Sequence, residues 1–371
     1  MNENNFIRID SVSVSIEEEC PLLFFRSDDM LPLPIPDTDL YSKRAKQYIL
    51  SMKEFVNFDN ESLKLSLVWL MSLFLKDGTY PILMLEGPQG SAKTSSLSFL
   101  VSLVDPREHP LIGIPRSSRD LYVYAQKNTI LAFDNVSDVS HSMCDELCKL
   151  ASSGSITARK LYSDDESMVI KAKCLTAFNG ISLNIVRNDI LDRAILVETQ
   201  PIDSNCRVSE NKLKLSFHKI YKNIFSAIVY AIHFGLKNCK EPSDISCIGR
   251  LVDVEFWAYR WAPAFKLNPD KLIQTIFNNQ NSLQSSVSEN NSFCNALCHF
   301  MKDRDKWKGT ITSLLENLEK EFPNEVRRKD WPKTPQLAGS QVKRLKSSLE
   351  QYGIFYGSTR KNKCRQVVLE K

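Results

Sequence analysis

The stretch that spans residues 81–97 has the sequence PILMLEGPQGSAKTSSL. An apolar run comes directly before Gly87 and Gly90, and the pair Lys93-Thr94 follows them. This order predicts a strand, a loop and a helix, in which loop N–H groups and the positive end of the helix bind phosphate. We expect Lys93 to reach the terminal phosphates and the Thr94 hydroxyl to bind Mg²⁺. The residues expected to form this loop are Gly87, Pro88, Gln89, Gly90, Ser91, Ala92, Lys93, Thr94 and Ser95.

The loop departs from the pattern G-x-x-x-x-G-K-[ST] at one position, because Ala92 stands where the last glycine is usual. Ala92 keeps its backbone N–H, so the anion-binding loop survives if its φ is negative. A left-handed or tightly approached position would be strained. An ordinary strand-turn-helix without a ligand is the alternative interpretation.

The composition is that of a globular protein with room for two or three domains, since 43% of its 371 residues are hydrophobic and 25% are charged. It has no run of about eighteen apolar residues, and the start MNENNFIRID has neither signal nor transit character. We therefore expect a cytoplasmic protein without membrane contact. The ten cysteines lack CxxC spacing, which favours reduced thiols over a zinc site.

Positive charge is concentrated at the carboxyl end. The net charge is +4, but residues 302–371 hold seventeen Lys or Arg against nine Asp or Glu, which leaves −4 for the rest. This end is a candidate for nucleic-acid contact, and a solvated basic tail is the alternative.

A second buried strand, TILAF at residues 129–133, ends at Asp134, 41 residues after Lys93. A buried strand that ends in an acidic residue at this distance is the pattern of a Walker B motif, whose aspartate holds Mg²⁺ through water. The sequence therefore predicts a metal site formed by Thr94 and Asp134.

Asn135 is the second departure, because glutamate is usual at this position to polarise the attacking water. An amide orients water but does not accept its proton at neutral pH, so we expect slow rather than absent hydrolysis. Glu86 and Asp138 are candidates to replace the missing carboxylate.

Two further motifs follow. A β-hairpin is predicted over residues 156–170, with Arg159 and Lys160 on its outgoing strand. A third buried strand then ends at Asn179, 45 residues after Asp134. A polar side chain there would reach the phosphates and the attacking water.

The segment RNDILDR, residues 187–193, precedes a fourth strand. In their order and spacing these motifs resemble AAA+ ATPases. They resemble most the branch with a hairpin before the sensor-1 strand, which includes MCM-like and superfamily 3 helicases and the ATPases of phage and mobile-element replication modules. The resemblance spans residues 31–371.

The resemblance implies ATP and Mg²⁺ as cofactors. Asn179 matches the sensor-1 asparagine, and Arg193 matches an arginine finger that acts on the nucleotide of the adjacent subunit, with Arg187 in reserve. A surface salt bridge is the alternative for these arginines. Arg250 looks like the sensor-2 arginine of the helical lid. The catalytic residues expected on this basis are Lys93, Asp134, Asn135, Asn179, Arg193, Arg187 and Arg250.

The expected fold class is α/β, an AAA+ P-loop ATPase core with a parallel sheet and a helical lid, followed by a C-terminal winged-helix domain. Four regions are predicted: strands and a Pro-rich linker (1–36), the ATPase core (37–205), the lid with a hinge at 278–291 (206–290), and the winged helix (291–371).

The hairpin and the winged helix carry the basic residues expected to bind DNA, mainly through phosphates. Packing of the winged helix against the ring is the alternative. The candidate DNA-binding residues are Arg159, Lys160, Lys343, Arg344, Lys346, Arg360, Lys361 and Lys363.

The sequence thus predicts a ring-forming ATP-dependent DNA motor that acts in replication of a mobile element. We expect a homo-hexamer with single-stranded DNA in its pore, duplex DNA at the winged helix, and an initiator or primase as a partner. The alternatives are a regulatory, loader or defence ATPase that does not unwind DNA, and a nucleotide-binding scaffold without hydrolysis.

Overall fold

The computed structural model describes residues 5–18, 27–37, 41–152, 154–159, 167–181, 188–238, 249–328, 331–361 and 364–371. The chain divides into two compact units, Met1–Gln280 and Asn281–Lys371. The strands are β1 (Phe6–Ile9), β2 (Val14–Glu17), β3 (Ile82–Glu86), β4 (Ile130–Phe133), β5 (Gly154–Arg159), β6 (Ser167–Ala172), β7 (Leu175–Gly180), β8 (Ala194–Glu198), β9 (Lys306–Gly309), β10 (Phe355–Lys361) and β11 (Cys364–Glu370). The helices are α1 (Tyr41–Leu50), α2 (Asn60–Met71), α3 (Lys93–Ser102), α4 (Ser118–Lys127), α5 (His141–Ala151), α6 (Asn188–Leu191), α7 (Glu210–Lys237), α8 (Val252–Trp261), α9 (Pro269–Asn290), α10 (Ser292–Met301), α11 (Ile311–Glu321), α12 (Pro335–Arg344) and α13 (Lys346–Gln351).

The first unit is built on a parallel sheet with the strand order β4-β7-β3-β8. One parallel bridge, between Ile112 and Phe133, extends the sheet beyond β4. The order places β7 between β3 and β4. The polar residue that ends β7 therefore lies between the glycine-rich loop and the residue that follows β4.

The sheet is buried on both faces, as expected for parallel strands covered by helices. Leu83 and Leu85 of β3 belong to the large core that also includes α2, α7 and α8. Phe133 and Phe178 stack on the other face, with ring centroids 5.6 Å apart. On α2, buried Trp69 donates a 3.0 Å hydrogen bond from Nε1 to the Thr176 carbonyl of β7. These contacts pack the sheet tightly against the rest of the core and hold its strands in place.

The predicted hairpin is present as β5 and β6, which pair antiparallel from Gly154 opposite Ala172 to Arg159 opposite Ser167. Its base lies tight against two helices. A Cβ atom on Gly154 would lie 2.7 Å from the Lys149 carbonyl carbon on α5 and 2.7 Å from the Tyr122 hydroxyl on α4. Only glycine fits this close approach without a shift of the backbone.

The segment before α1, residues 27–37, is attached to the rest of the first unit through Arg107. Met30 forms an antiparallel bridge with Arg107, whose buried guanidinium donates to Asp105 at 3.2 Å and to Asp29 at 3.0 Å. Asp105 in turn accepts hydrogen bonds from the backbone N–H groups of Thr129 and of Ile130, the first residue of β4. The strands predicted within residues 1–36 are present as the antiparallel pair β1 and β2, which runs from Phe6 opposite Glu17 to Ile9 opposite Val14.

The region predicted as a helical lid contains α7, α8 and α9, and the residues predicted as a linker or hinge, 278–291, are helical almost to their end. These residues continue α9 to Asn290. Asn, Ser and Gln are weak helix formers, yet the apolar positions of α9 keep helical spacing, and Ile276 and Leu283 are buried. Packing therefore overrides local propensity. The division between the two units falls within this helix, after Gln280.

The second unit has the element order α10, β9, α11, α12, α13, β10 and β11, with an antiparallel sheet in the order β10-β11-β9. Its own core includes Phe293 and Trp331, whose rings meet edge to face at 5.3 Å. The two strands predicted at the carboxyl end are present. The strand β9 was not predicted, because KWKG lacks an apolar run. The helices α12 and α13 are separated by Leu345 alone.

Candidate functional site

Three strand ends meet at one edge of the parallel sheet. Leu85 of β3 is in register with Asn179 of β7, and Phe133, the last residue of β4, is in register with Phe178. The loop after β3 and the residue Asp134 after β4 therefore flank Asn179. The structure brings together the three polar features that the sequence predicts.

The glycine-rich loop requires its glycines. Gly87 has a φ of 157°, and a Cβ atom there would lie 2.0 Å from Thr199 Oγ1 and 2.8 Å from the Thr199 carbonyl oxygen. Gly90 has a φ of 76°. Ala92 takes the left-handed conformation, with φ 62° and ψ 28°, and Lys93 starts α3 directly after it. Ala92, which replaces the third glycine, therefore has the strained conformation that the sequence analysis considers. For a non-glycine residue a left-handed backbone costs about 1–2 kcal/mol.

The ammonium group of Lys93 lies inside the loop. Nζ donates to the carbonyl oxygens of Gly87 at 2.7 Å and of Pro88 at 2.6 Å. Partial burial lowers the pKa of Lys93. The loop therefore holds a positive charge next to the N-terminus of α3, where the helix dipole also favours an anion.

Two residues that the sequence did not indicate support the loop from behind. Thr199, buried directly after β8, has its hydroxyl oxygen 2.6 Å from Ser91 Oγ and donates to the Glu86 carbonyl at 3.2 Å. Asn57 donates from Nδ2 to the Ser91 carbonyl at 3.1 Å. Thr199 had a detectable signal, since it follows a strand next to β3. Asn57 had none, because it reaches the loop only through tertiary packing.

A chain of hydrogen bonds joins the three strand ends. Thr94 Oγ1 donates to Asp134 Oδ1 at 3.0 Å, and Asn179 Nδ2 donates to the same oxygen at 2.7 Å. Asn179 Oδ1 accepts from the backbone N–H of Asn135 at 2.7 Å, and Val136 N donates to the Asn179 carbonyl at 2.8 Å. Both ends of the buried Asn179 amide are thus fixed in orientation. A hydroxyl and a carboxylate 3.0 Å apart are oxygen ligands that suit Mg²⁺.

Asn135, which stands where a glutamate is usual, takes a left-handed conformation with φ 54° and is exposed. Of the two candidate replacements, Asp138 is exposed in the same loop and Glu86 ends β3 at the site edge. Of these two carboxylates, Glu86 is therefore the one next to the glycine-rich loop, which begins at Gly87.

The predicted arginines do not join this cluster. Ile82 N, at the start of β3, donates to the Arg193 carbonyl at 2.8 Å, so Arg193 lies at the opposite edge of the sheet. Four strand residues separate the two edges, about 13 Å. Arg250 forms an ion pair with Asp192 at that same far edge, and the structure does not bring it to the loop of its own subunit. Arg187 lies outside the described residues.

The candidate DNA-binding residues are distributed over both units. Arg159 ends β5, and Lys160 lies outside the described residues, as does Lys363. Lys343 of α12 and Lys346 of α13 are exposed, and Lys346 lies 3.7 Å from Glu350. Arg344 ends α12, while Arg360 and Lys361 lie in β10. Their contact with DNA stays a prediction.

The described residues contain neither a metal-binding cluster nor a membrane-spanning helix. In the part of the chain that the structure describes, no group of three or more His, Cys, Asp or Glu side chains has the arrangement of a metal centre. None of the described helices combines the length and the apolar character needed to cross a bilayer.

Fold and site define an α/β protein built around a glycine-rich loop between a strand and a helix. Two family models match the chain. One, described as actinomycete integrative conjugative element replication protein, covers residues 47–256, more than half of the chain. The other, described as AICE RepA C-terminal domain, covers residues 293–371. The chain therefore belongs to the family of replication proteins of actinomycete integrative conjugative elements.

Other comparisons add little to this assignment. No curated protein matches the chain. An apo structure of the NrS-1 C-terminal region aligns with 94% of this chain and 79% of its own at 12% identity, with a TM-score of 0.38. An inhibitor-bound JCV helicase aligns with 67% of this chain and 63% of its own at 12% identity, with a TM-score of 0.30. At these TM-scores neither likeness supports an argument about function.

Proposed function

We propose that this replication protein is an ATP- and Mg²⁺-dependent motor that assembles into a ring, expected to be a hexamer, and moves on DNA. The observation that carries the proposal is the hydrogen-bonded chain Thr94–Asp134–Asn179 beside a loop that encloses the Lys93 ammonium. Its donors and acceptors are those that a nucleoside triphosphate and its metal require.

The residues present fit such a ligand. Loop N–H groups and Lys93 would hold the phosphates, and Thr94 with Asp134 would hold Mg²⁺, which neutralises charge on the phosphate oxygens. Asn179, already fixed at both ends, would orient water at the terminal phosphate. Phosphate binding would replace the carbonyl oxygens of Gly87 and Pro88 as partners of Lys93.

A physical path from this site to the hairpin supports movement on DNA. β6 runs into β7 after only Lys173 and Cys174, so the hairpin and Asn179 share one continuous stretch of chain. The buried Cys174 thiol lies 3.0 Å from the carbonyl of Asn128, in the segment between α4 and β4. A displacement of Asn179 would therefore be passed to the hairpin that carries Arg159.

The position of Arg193 supports a ring. It lies at the sheet edge opposite its own loop, so it has no route to the phosphates of its own subunit, whereas a neighbouring subunit could present its loop there. Arg250 lies at the same edge, bound to Asp192. Within this proposal both arginines complete the site of an adjacent subunit.

The order of elements in the second unit, the helices α10 to α13 with β9 between the first two and a terminal antiparallel hairpin, supports a winged helix. Exposed Lys343 and Lys346 would then contact DNA phosphates. Such contacts are independent of sequence and weaken with salt.

Hydrolysis of ATP with and without single-stranded DNA tests the proposal. We expect DNA to stimulate hydrolysis by the wild type, Lys93→Ala to abolish hydrolysis and unwinding, and Arg159→Ala to reduce unwinding more than hydrolysis. Hydrolysis by the wild type that ignores DNA would overturn the motor.

One observation favours a second candidate, a nucleotide-dependent switch such as a helicase loader. Asn135 has no carboxylate, which suits slow turnover in which the bound nucleotide controls assembly. A switch would show nucleotide-dependent oligomerisation without unwinding, and sedimentation in ATP and ADP distinguishes the two.

A further inference from the structure

Arg207 places a guanidinium group beside the glycine-rich loop, and no motif in the sequence points to this residue. A Cβ atom placed on Gly90 would lie 3.6 Å from the Nη2 atom of Arg207. Arg207 is exposed, and within the described part of the chain it takes part in no ion pair. Its positive charge is therefore available to an anion in the loop.

The fold determines this position. Glu198 is in register with Glu86, and the next residue, Thr199, donates its N–H to the Glu86 carbonyl at 2.8 Å. The chain then passes through a short 3-10 turn, Ser204–Cys206, and reaches Arg207 three residues before α7 begins.

The far end of this segment is fixed as well. Tyr221 of α7 donates a 2.6 Å hydrogen bond from its hydroxyl to the Ser102 carbonyl of α3, the helix that the loop opens. Residues 199–209 therefore connect Thr199, which contacts the loop, to α7, which contacts α3. Arg207 lies within this connection and not on a free tail.

The chemistry needed at this point is a second cation. Lys93 supplies a point charge within the loop, whereas a guanidinium presents a planar set of donors that binds two phosphate oxygens at once. Arg250, to which the resemblance assigns the lid-side contact with the terminal phosphate, is bound to Asp192 at the other edge of the sheet. The Nη2 atom of Arg207 is the only atom found within 4 Å of a Cβ placed on Gly90.

We propose that Arg207 binds the outer phosphates of a nucleotide held by the same subunit and acts there together with Lys93. This inference rests on the proposed function of the loop as an ATP site. It assigns the phosphate contact to the segment after β8, while Arg193 and Arg250 face away from that loop.

Binding of a fluorescent ATP analogue with Mg²⁺ to the full chain tests the inference. We expect Arg207→Ala to weaken binding about tenfold or more, a change that corresponds to the loss of a charged hydrogen-bonded contact. Arg207→Lys should recover part of the loss, because it restores the charge without the paired donors. Arg119→Ala, at an exposed arginine of α4, is the matched control and should bind as the wild type does.

The salt dependence of binding separates contact from structural support. Loss of a direct ionic contact should reduce the decline of affinity with added NaCl, whereas a distorted loop would keep the same slope. Affinity of Arg207→Ala within about twofold of the wild type would overturn the inference, since that is the range of an ordinary surface charge. A wild type that binds no nucleotide would instead overturn the proposed function.

Discussion

Asn179 and Asp134 are joined by a 2.7 Å hydrogen bond from Nδ2 to Oδ1. The other end of the same amide accepts from the backbone N–H of Asn135, so one buried side chain sets the geometry of two neighbouring strand ends. Asn179→Ala would leave both partners without this contact. Removing one partner of a buried hydrogen bond costs about 1–3 kcal/mol.

We therefore expect Asn179→Ala to lower the free energy of unfolding by about that amount and to lower ATP hydrolysis more than ATP binding. Urea unfolding and steady-state hydrolysis measure the two effects. Asn179→Asp should also lower stability in the absence of metal, since it sets a second carboxylate against Asp134 in place of the hydrogen bond. Asn211→Ala, at an exposed residue of α7, is the control, and an equal effect there would contradict the assignment.

At Ala92, in contrast, a substitution is expected to increase the stability of the protein. Its left-handed backbone, with φ 62°, is a conformation that glycine adopts without strain. Ala92→Gly should raise the free energy of unfolding by about 1 kcal/mol, reduced somewhat by the greater freedom of glycine in the unfolded chain.

Thermal or urea unfolding measures this gain. The matched control is Ala125→Gly in α4, which replaces alanine in a helix interior and should lower stability by about 1 kcal/mol. A loss of stability at both positions would show that the left-handed geometry of Ala92 carries no strain.

The polar features at the strand ends could be predicted from the sequence. The loop, Asp134 and Asn179 could be predicted because each follows a buried strand, and parallel strands end at a shared edge. The sequence also raised the question of the backbone at Ala92, and the structure answers it with a positive φ. These features depend on local pattern and chain order.

Other features depend on packing that no local pattern encodes. Asn57 and Arg207 reach the loop from segments without a motif. Arg250 was placed at the phosphates by resemblance, yet Asp192 holds it at the far edge. The polar half of α9 suggested a loop, and its buried residues on one face make it a helix.

Arg107 is expected to be the most sensitive charged residue in the first unit. Its buried guanidinium pairs with Asp105 and Asp29 and donates to the Lys127 carbonyl at 2.7 Å. Arg107→Ala would leave the buried Asp105 without its cation, a change that typically costs about 3–5 kcal/mol. Chemical unfolding measures the loss, and Arg116→Ala at an exposed arginine should leave stability unchanged.

The same cluster predicts a dependence on pH. A hydrogen bond from Ser27, with help from Arg107, lowers the pKa of Asp29 below 3.8. A depressed carboxyl pKa stabilises the fold above the unfolded value, and this contribution is lost as the pH falls through the folded pKa. Between pH 5 and more acidic conditions, the wild type should therefore lose more stability than Asp29→Asn. Parallel curves for the two proteins would show that Asp29 does not contribute.

The opposite edges occupied by Lys93 and Arg193 give the most direct test of a shared site. A subunit that carries Lys93→Ala lacks its own phosphate contact but keeps a normal Arg193, and the reverse holds for Arg193→Ala. Each variant alone should be nearly inactive. If Arg193 acts on the nucleotide of the neighbour, a mixture contains interfaces in which an intact loop faces an intact arginine.

Hydrolysis by mixtures at several ratios should therefore rise above both parents and peak at an intermediate ratio. Pairing Lys93→Ala with Asn179→Ala is the control, because both changes damage the same edge of one subunit. In that mixture neither parent has an intact loop edge, so no interface combines an intact loop edge with an intact arginine. We therefore expect no recovery of hydrolysis in the control mixture. Recovery in the control mixture, or no recovery in the mixture with Arg193→Ala, would place Arg193 outside a shared site.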